Sequence, residues 1–399
     1  MKYNKNSLIF KIALLSISTL LMIAPAVSSA LPLLYPAFSG VSKASVEGLV
    51  TLPNIGIIFG LILSPILIKF LGQKKTVLSG LVLALISGTF PMYASNFMMI
   101  AISRLLLGVG IGLFNSLAVS LIPQFYNDDE EETASMLGFQ NVMGALGTAL
   151  ASFVLSWLVT INWHMAFGIY LLIIPVFILF ALFIPNDKAN KTITKKAAPK
   201  NREKINSKLV VIWTVFFILF IFYMPISYKL PLLVTSEKLG SMSQYAALTG
   251  ITGLCGIPLG ASFGMFFKKL HDKIFPLGFL ITALGFLLFG FATNLVMIFA
   301  GNIVLGFGAA LAIPYLYNWI SWAAPHGSVN LATTIALVLI NIACSISPYI
   351  LNSLSGLLGN STPRFAMFIC AAAFILLTVY GLGHYLRVHR VNIKAKQQL

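Results

Sequence analysis

The sequence predicts an all-α membrane protein: twelve transmembrane helices in two parallel six-helix repeats. Three observations predict it. Hydrophobic residues make up 58% of the 399 and charged residues only 9%, against roughly 25% charged in soluble domains. The apolar stretches recur at about 20 residues or more, enough to cross a hydrocarbon core. They are continuously apolar rather than alternating, which suits helices and not barrel strands. Finally, the second half echoes the first. Pro25 and Leu31-Pro32-Leu33-Leu34 return as Pro225 and Leu230-Pro231-Leu232-Leu233, Gly56 and Gly60 as Gly256 and Gly260, and Lys69 as Lys269. Gly80 returns as Gly278, and Gly108 and Gly110 as Gly306 and Gly308. One order and nearly one offset argue for parallel repeats, a known transporter design with solute bound between the halves.

The expected spans are 10–38, 45–68, 76–94, 97–123, 133–159 and 163–185 in the first half, and 209–234, 244–267, 274–293, 296–322, 329–356 and 365–387 in the second. The first could pass for a signal peptide, because Lys2, Lys5 and Lys11 precede it and Val27-Ser28-Ser29-Ala30 resembles a cleavage site. Its apolar run continues to Phe38, however, and its pattern recurs deep in the chain at 225–233, so it reads as a retained helix. The second span opens near Glu47 and runs into a basic turn. The fourth carries Arg104, and the fifth follows an acidic run, Asp128 to Glu132. That run reads as a solvated loop whose charge suits a helix N-terminus. Residues 186–208 hold eight basic residues with Asp187 and Glu203, and read as a flexible linker between halves 1–185 and 209–399. The seventh span carries Lys229 between Pro225 and Pro231. Lys268, Lys269, Asp272 and Lys273 separate the eighth from the ninth.

With the N-terminus inside, the inner segments hold 21 of 26 basic residues. This bias places both termini in the cytoplasm and the chain in the cell membrane. It also accounts for the net charge of +16, which suits contact with anionic lipid and needs no nucleic acid.

No enzyme is expected. The chain has no phosphate-cradling loop of the Walker kind, no zinc cluster and no nucleophile–base pair, and no cofactor is expected. Cys255, Cys344 and Cys370 lack metal or disulfide spacing and read as packing residues. His164, His271, His326, His384 and His389 fall near helix ends.

Two motifs resemble the major facilitator superfamily. The fourth span reads Arg104-Leu105-Leu106-Leu107-Gly108-Val109-Gly110-Ile111-Gly112, similar to that family's fourth-helix signature. The turn Ser64-Pro65-Ile66-Leu67-Ile68-Lys69-Phe70-Leu71-Gly72-Gln73-Lys74-Lys75 resembles its loop between helices two and three. There Ser64 replaces the first glycine, Ile68 replaces the usual aspartate, and Gly72 comes one residue late. The second-half turn, Gly264-Met265-Phe266-Phe267-Lys268-Lys269, also lacks the acid. The fifth helix has Gly138, Gly144 and Gly147 but not the Gly-Pro pair of the family's antiporter signature. The resemblance implies a secondary transporter, working as a monomer on a small solute, with two halves rocking around a midplane site.

The residues themselves leave alternatives open. A guanidinium in the membrane needs a partner or a watered cavity. Arg104 therefore either faces the solute path, with Gly108, Gly112 and Asn115 along the same face, or bonds to nearby carbonyls while the glycines allow close packing. Lys229 either faces the path or snorkels to the interface. Of ten acidic residues, Glu47 alone has an approach to the pathway, as a proton-coupling site or a surface group. Gln140, Asn141, Tyr223, Tyr228, Asn302, Tyr315, Asn318 and Asn341 are candidates for orienting solute, or join helices to one another. A cavity with Arg104 and Lys229 favours an anionic or amphipathic solute, carried with protons or by exchange. The alternatives are efflux of cationic or lipophilic compounds, and a sensor that binds solute without moving it.

Overall fold

The computed structural model describes residues 5, 7–126, 129–185, 206–325 and 328–397. Residues 186–205 of the expected linker, with Asp187 and Glu203, lie outside them, as do Lys2, Asp128 and His326. Among the described residues every regular element is helical. In chain order the helices are α1 (Leu8–Ser16), α2 (Leu31–Ala37), α3 (Lys43–Leu71), α4 (Gln73–Thr89), α5 (Phe97–Phe125), α6 (Glu130–Leu158), α7 (Trp163–Ala166) and α8 (Ile173–Phe183). After the linker come α9 (Ser207–Tyr223), α10 (Pro225–Tyr228), α11 (Leu230–Ser236), α12 (Met242–Ala261), α13 (Phe263–Leu270), α14 (Ile274–Gly290), α15 (Leu295–Ala323), α16 (Val329–Leu357) and α17 (Pro363–Gln397).

Ten helical stretches among the described residues are long and apolar enough to cross a membrane, and a bent pair, Leu8–Leu20 with Ala24–Ala37, makes an eleventh. The expected first span is therefore broken by 52°. Pro25, Pro32 and Pro36 remove backbone donors there, and 3₁₀ turns at Ile17–Leu20 and Ala24–Ala30 take up the change. The expected eighth span, 244–267, is the one of the twelve absent from that set. Gln244, Thr249, Thr252 and several glycines make α12 less apolar, and the helix ends at Ala261 rather than 267. Helix starts follow the sequence closely: Ser42, Asn96, Asp129, Asn162, Asn206 and Asn294 each accept a backbone N–H three residues on.

The chain divides into two compact units, Met1–Ala198 with Ser241–Leu254, and Pro199–Gly240 with Cys255–Leu399. In the first, α3 and α5 meet backbone to backbone. A Cβ at Gly108 would strike the Pro53 carbonyl, and Gly60 lies against Gly112. Small residues allow this approach, the usual basis of helix association in lipid. The other face of α5 packs on α4 through Gly110 against Gly80 and Ala84. Ser64 donates to the Leu113 carbonyl at 2.8 Å, pinning α3 to α5. Gly147 of α6 lies against Thr19 in the 3₁₀ turn.

In the second unit α14 packs on α15 through Gly278 and Gly308. Aromatic rings fill much of the rest, with Phe275, Phe279, Phe286 and Phe289 fully buried. Trp213 of α9 donates to the Ala332 carbonyl of α16 at 3.0 Å, and Ser347 donates to the Ile221 carbonyl at 2.5 Å.

Candidate functional site

In the first unit α2 delivers Tyr35 to α3. Its hydroxyl donates to Glu47 Oε1 at 2.6 Å. Glu47 is fully buried although it lies in the first turns of a membrane-spanning helix. A buried carboxyl in a membrane-spanning segment marks a candidate functional site. The sequence offered a surface position for Glu47 as an equal alternative; the burial decides against it. Tyr35 went unremarked in the sequence. Its signal was faint: a lone phenol in Leu34-Tyr35-Pro36, on the helix preceding the acid.

Arg104 forms a second cluster in the same unit and is likewise fully buried. Its guanidinium donates to the Tyr170 hydroxyl at 2.8 Å and to the Gly88 and Ser87 carbonyls at 3.1 and 3.4 Å. It lies 4.9 and 4.8 Å from the Phe167 and Tyr170 ring centroids. The carbonyls belong to the last turn of α4, whose dipole favours a cation, and the rings add cation–π attraction. Nε has no partner among the described residues. Tyr170 in turn donates to the Ala24 carbonyl at 3.2 Å, tying the break in the first span to α5. Of the two readings left open, this geometry supports the one in which Arg104 bonds to carbonyls. Gly108 and Gly112, one and two turns along, are taken up by α3, and Asn115 is half-buried beyond them. Tyr170 was invisible in sequence, because nothing local relates it to an arginine 66 residues earlier.

The basic turn is held by Gly72, whose φ of 81° suits glycine and lets α3 stop and α4 start at one residue. Lys69 sits in the last turn of α3, where a cation suits the helix C-terminus, and Lys74 donates to the Ala181 carbonyl near the end of α8 at 2.7 Å. Lys75 is exposed. Gln140 is buried and Asn141 is exposed, with Nδ2 bonded to the Leu137 carbonyl of its own helix.

In the second unit Lys229 occupies the joint between α10 and α11. It is 3% exposed and donates to Asn352 Oδ1 of α16 at 2.8 Å. It therefore points inward rather than snorkelling. Beside it the Tyr228 hydroxyl is bonded to Ser347 at 2.8 Å. Tyr223, half-buried, stacks edge-on toward Phe220 at 6.2 Å. Asn302 and Asn341 bond back to the carbonyls of Ile298 and Leu337 in their own helices, and Asn318 is half-buried. Tyr315 stands apart, donating to Asp272 Oδ1 at 2.8 Å and stacking on Phe275. The orienting candidates of this unit thus do not form one cluster. Tyr228 and Lys229 come together with Ser347 and Asn352, and Tyr315 joins the turn before α14. Among the described residues no group of acids, histidines and cysteines could hold a metal ion.

The family model for the major facilitator superfamily matches residues 12–276. No curated protein sequence matches significantly. Among solved structures, a mutant of the nucleoside transporter NupG superposes with a TM-score of 0.80 at 12% identity, covering 94% of this chain and 99% of that one. The inward-open xylose transporter XylE from E. coli superposes with 0.72 at 16% identity, covering 94% and 95%. A mutant of the peptide transporter POT with sulfate superposes with 0.74 at 13% identity, covering 96% and 95%. Likeness at these identities is likeness of fold.

Proposed function

From the premise that the chain belongs to the major facilitator superfamily, whose members here are transporters rather than enzymes, we propose that it carries a small organic solute across the cytoplasmic membrane by alternating access, coupled to protons. The observation that carries the coupling is Glu47: a fully buried carboxyl in a membrane-spanning helix, hydrogen-bonded to Tyr35 at 2.6 Å. Carboxyls within membrane-spanning segments are where proton relays in transporters are built. The nucleoside, peptide and xylose named for the similar structures support a small polar organic solute as the class. Arg104 is engaged by carbonyls and rings, so the case for an anionic solute rests on Lys229 with Tyr228 and Asn352. In this reading the protein works as a monomer, both termini and the 186–208 linker face the cytoplasm, and single cysteines at Asn190 and Ser241 label from opposite sides.

Reconstituted vesicles test the reading. Uptake of anionic, neutral and cationic solutes is measured with and without a pH gradient. Proton coupling requires that the gradient drive accumulation and that Glu47→Gln abolish the drive. Flux that ignores the gradient and follows solute on the opposite side makes the protein an exchanger. Solute binding with no flux at all makes it a sensor. A second reading, efflux of a cation, draws on the same burial of Glu47, since an anionic group can hold a cation in a weakly screening site. Solute charge separates the two. An anion carrier loses affinity in Lys229→Gln, and a cation carrier loses it in Glu47→Gln.

A further inference from the structure

We propose that the groove between α9 and α17 in the second unit binds one acyl chain of an anionic glycerophospholipid, whose phosphate is held by Lys208, Arg387 and the Tyr380 hydroxyl. The groove has a volume of about 470 Å³, within the roughly 300–1,000 Å³ range of ligand pockets. Val211, Val215, Ile218 and Phe222 line one wall and Leu376 and Leu377 the other. The one hydroxyl among the α9 residues, on Thr214, is turned onto its own helix, bonded to the Val210 carbonyl at 2.9 Å. A slot this apolar suits hydrocarbon and offers nothing to orient a polar solute.

What names the occupant is the charge at one end. Trp213 bonds Ala332 and Ile221 bonds Ser347, so residue numbers rise together along α9 and α16 and the two helices run parallel. Arg364 at the start of α17 pairs with Glu237, beyond the C-terminal end of α9 and α11, so α17 runs antiparallel to α9. The first turn of α9 and the late turns of α17 therefore share one end of the groove. Lys208 lies three and seven residues before Val211 and Val215, on their stripe. Arg387 lies seven residues beyond Tyr380, again on the same stripe. Both basic residues are exposed, and Tyr380 is 39% exposed. A tyrosine with two cations at the end of an apolar slot matches the headgroup level of a bilayer, and basic side chains there attract anionic lipid.

The test is native mass spectrometry of the full chain, released from nanodiscs of phosphatidylglycerol and phosphatidylcholine with identical acyl chains. The wild type is expected to retain phosphatidylglycerol with a preference of about tenfold, the order that two basic groups near an anionic headgroup supply. The double variant Lys208→Gln with Arg387→Gln should lose that preference while still retaining lipid. Ala373→Trp, which fills the slot from α17, should lose retained lipid of either kind, and Thr214→Trp does the same from the opposite wall should the first fail to fold. Equal retention of both lipids by the wild type overturns the proposal. So does phosphatidylglycerol that stays bound in a folded groove-filling variant, or a preference that survives the double variant.

Discussion

The two units repeat one set of joints with different chemistry. The contact between the third and fourth helices of each half is kept, Gly80 on Gly110 in the first unit and Gly278 on Gly308 in the second. The contact between the second and fourth is not. Gly56, Gly60, Gly108 and Gly112 close it in the first unit, whereas around Gly256, Gly260 and Gly306 a Cβ would meet nothing within 4 Å among the described residues. Two sequence differences accompany the change. Ser64, which pins α3 to α5, is matched by Gly264, which has no hydroxyl, and Gly112 is matched by Ala310. Elsewhere the joint persists while its donor changes. His164, at the start of the sixth helix, bonds the Pro91 carbonyl at 2.7 Å. Its counterpart Arg364 holds the Gly290 and Ala292 carbonyls at 2.6 and 2.9 Å and pairs with Glu237 at 3.1 Å. Recurrence of a glycine in sequence therefore does not establish that a helix is packed against it.

The largest expected effect separates Arg104 from Asn302, which precede Gly108 and Gly306 by the same four residues. Arg104→Ala empties a fully enclosed site and should cost roughly 2–5 kcal/mol, seen as a lowered melting temperature in detergent together with lost transport. Arg104→Lys should recover only part, since an ammonium lacks the planar fork that reaches carbonyl and phenol at once. Asn302→Ala should stay close to wild type, and equal losses at the two positions would erase the contrast. Next come the glycines. Gly108→Ala should cost roughly 1–3 kcal/mol by overpacking against Pro53, and Gly306→Ala about 0.5 kcal/mol or less. A destabilised Gly306→Ala would show that its face is closed after all. Third, Arg364→Gln should cost about 1.5–3 kcal/mol for its charged hydrogen bonds, more than His164→Gln, which removes a single bond.

The smallest effect is at the end of α5. Burial and the nearby Glu132 carboxylate push the Tyr126 phenol up from an ordinary 10 to about 12. Its hydroxyl donates to the Lys5 carbonyl at 2.6 Å. Between those values the folded chain holds a proton that the unfolded chain has lost. Stability supplied by the neutral phenol is then complete below pH 10 and declines as pH rises toward 12. Tyr126→Phe should flatten that alkaline decline in a melting series. The second unit closes the same joint without a titrating group, through Asn206 bonded to the Ala323 carbonyl at 2.6 Å, and Asn206→Ala should leave the pH profile unchanged.

By itself the sequence determined the membrane class, the positions of most spans, the repeat and the family. Apolar length and the caps at Ser42, Asn96 and Asn294 are local properties, and hydrocarbon forces backbone groups to bond within each helix. It also singled out Glu47, Arg104 and Lys229, because a charge in an apolar span is conspicuous wherever the helix points. Only the tertiary structure decided what those charges meet. Tyr35 for Glu47, Tyr170 and the end of α4 for Arg104, and Asn352 for Lys229 come from other helices. Such partners depend on helix rotation and depth, which packing between helices sets and hydropathy along one helix leaves free. The same freedom let equivalent glycines close one joint and leave its repeat open.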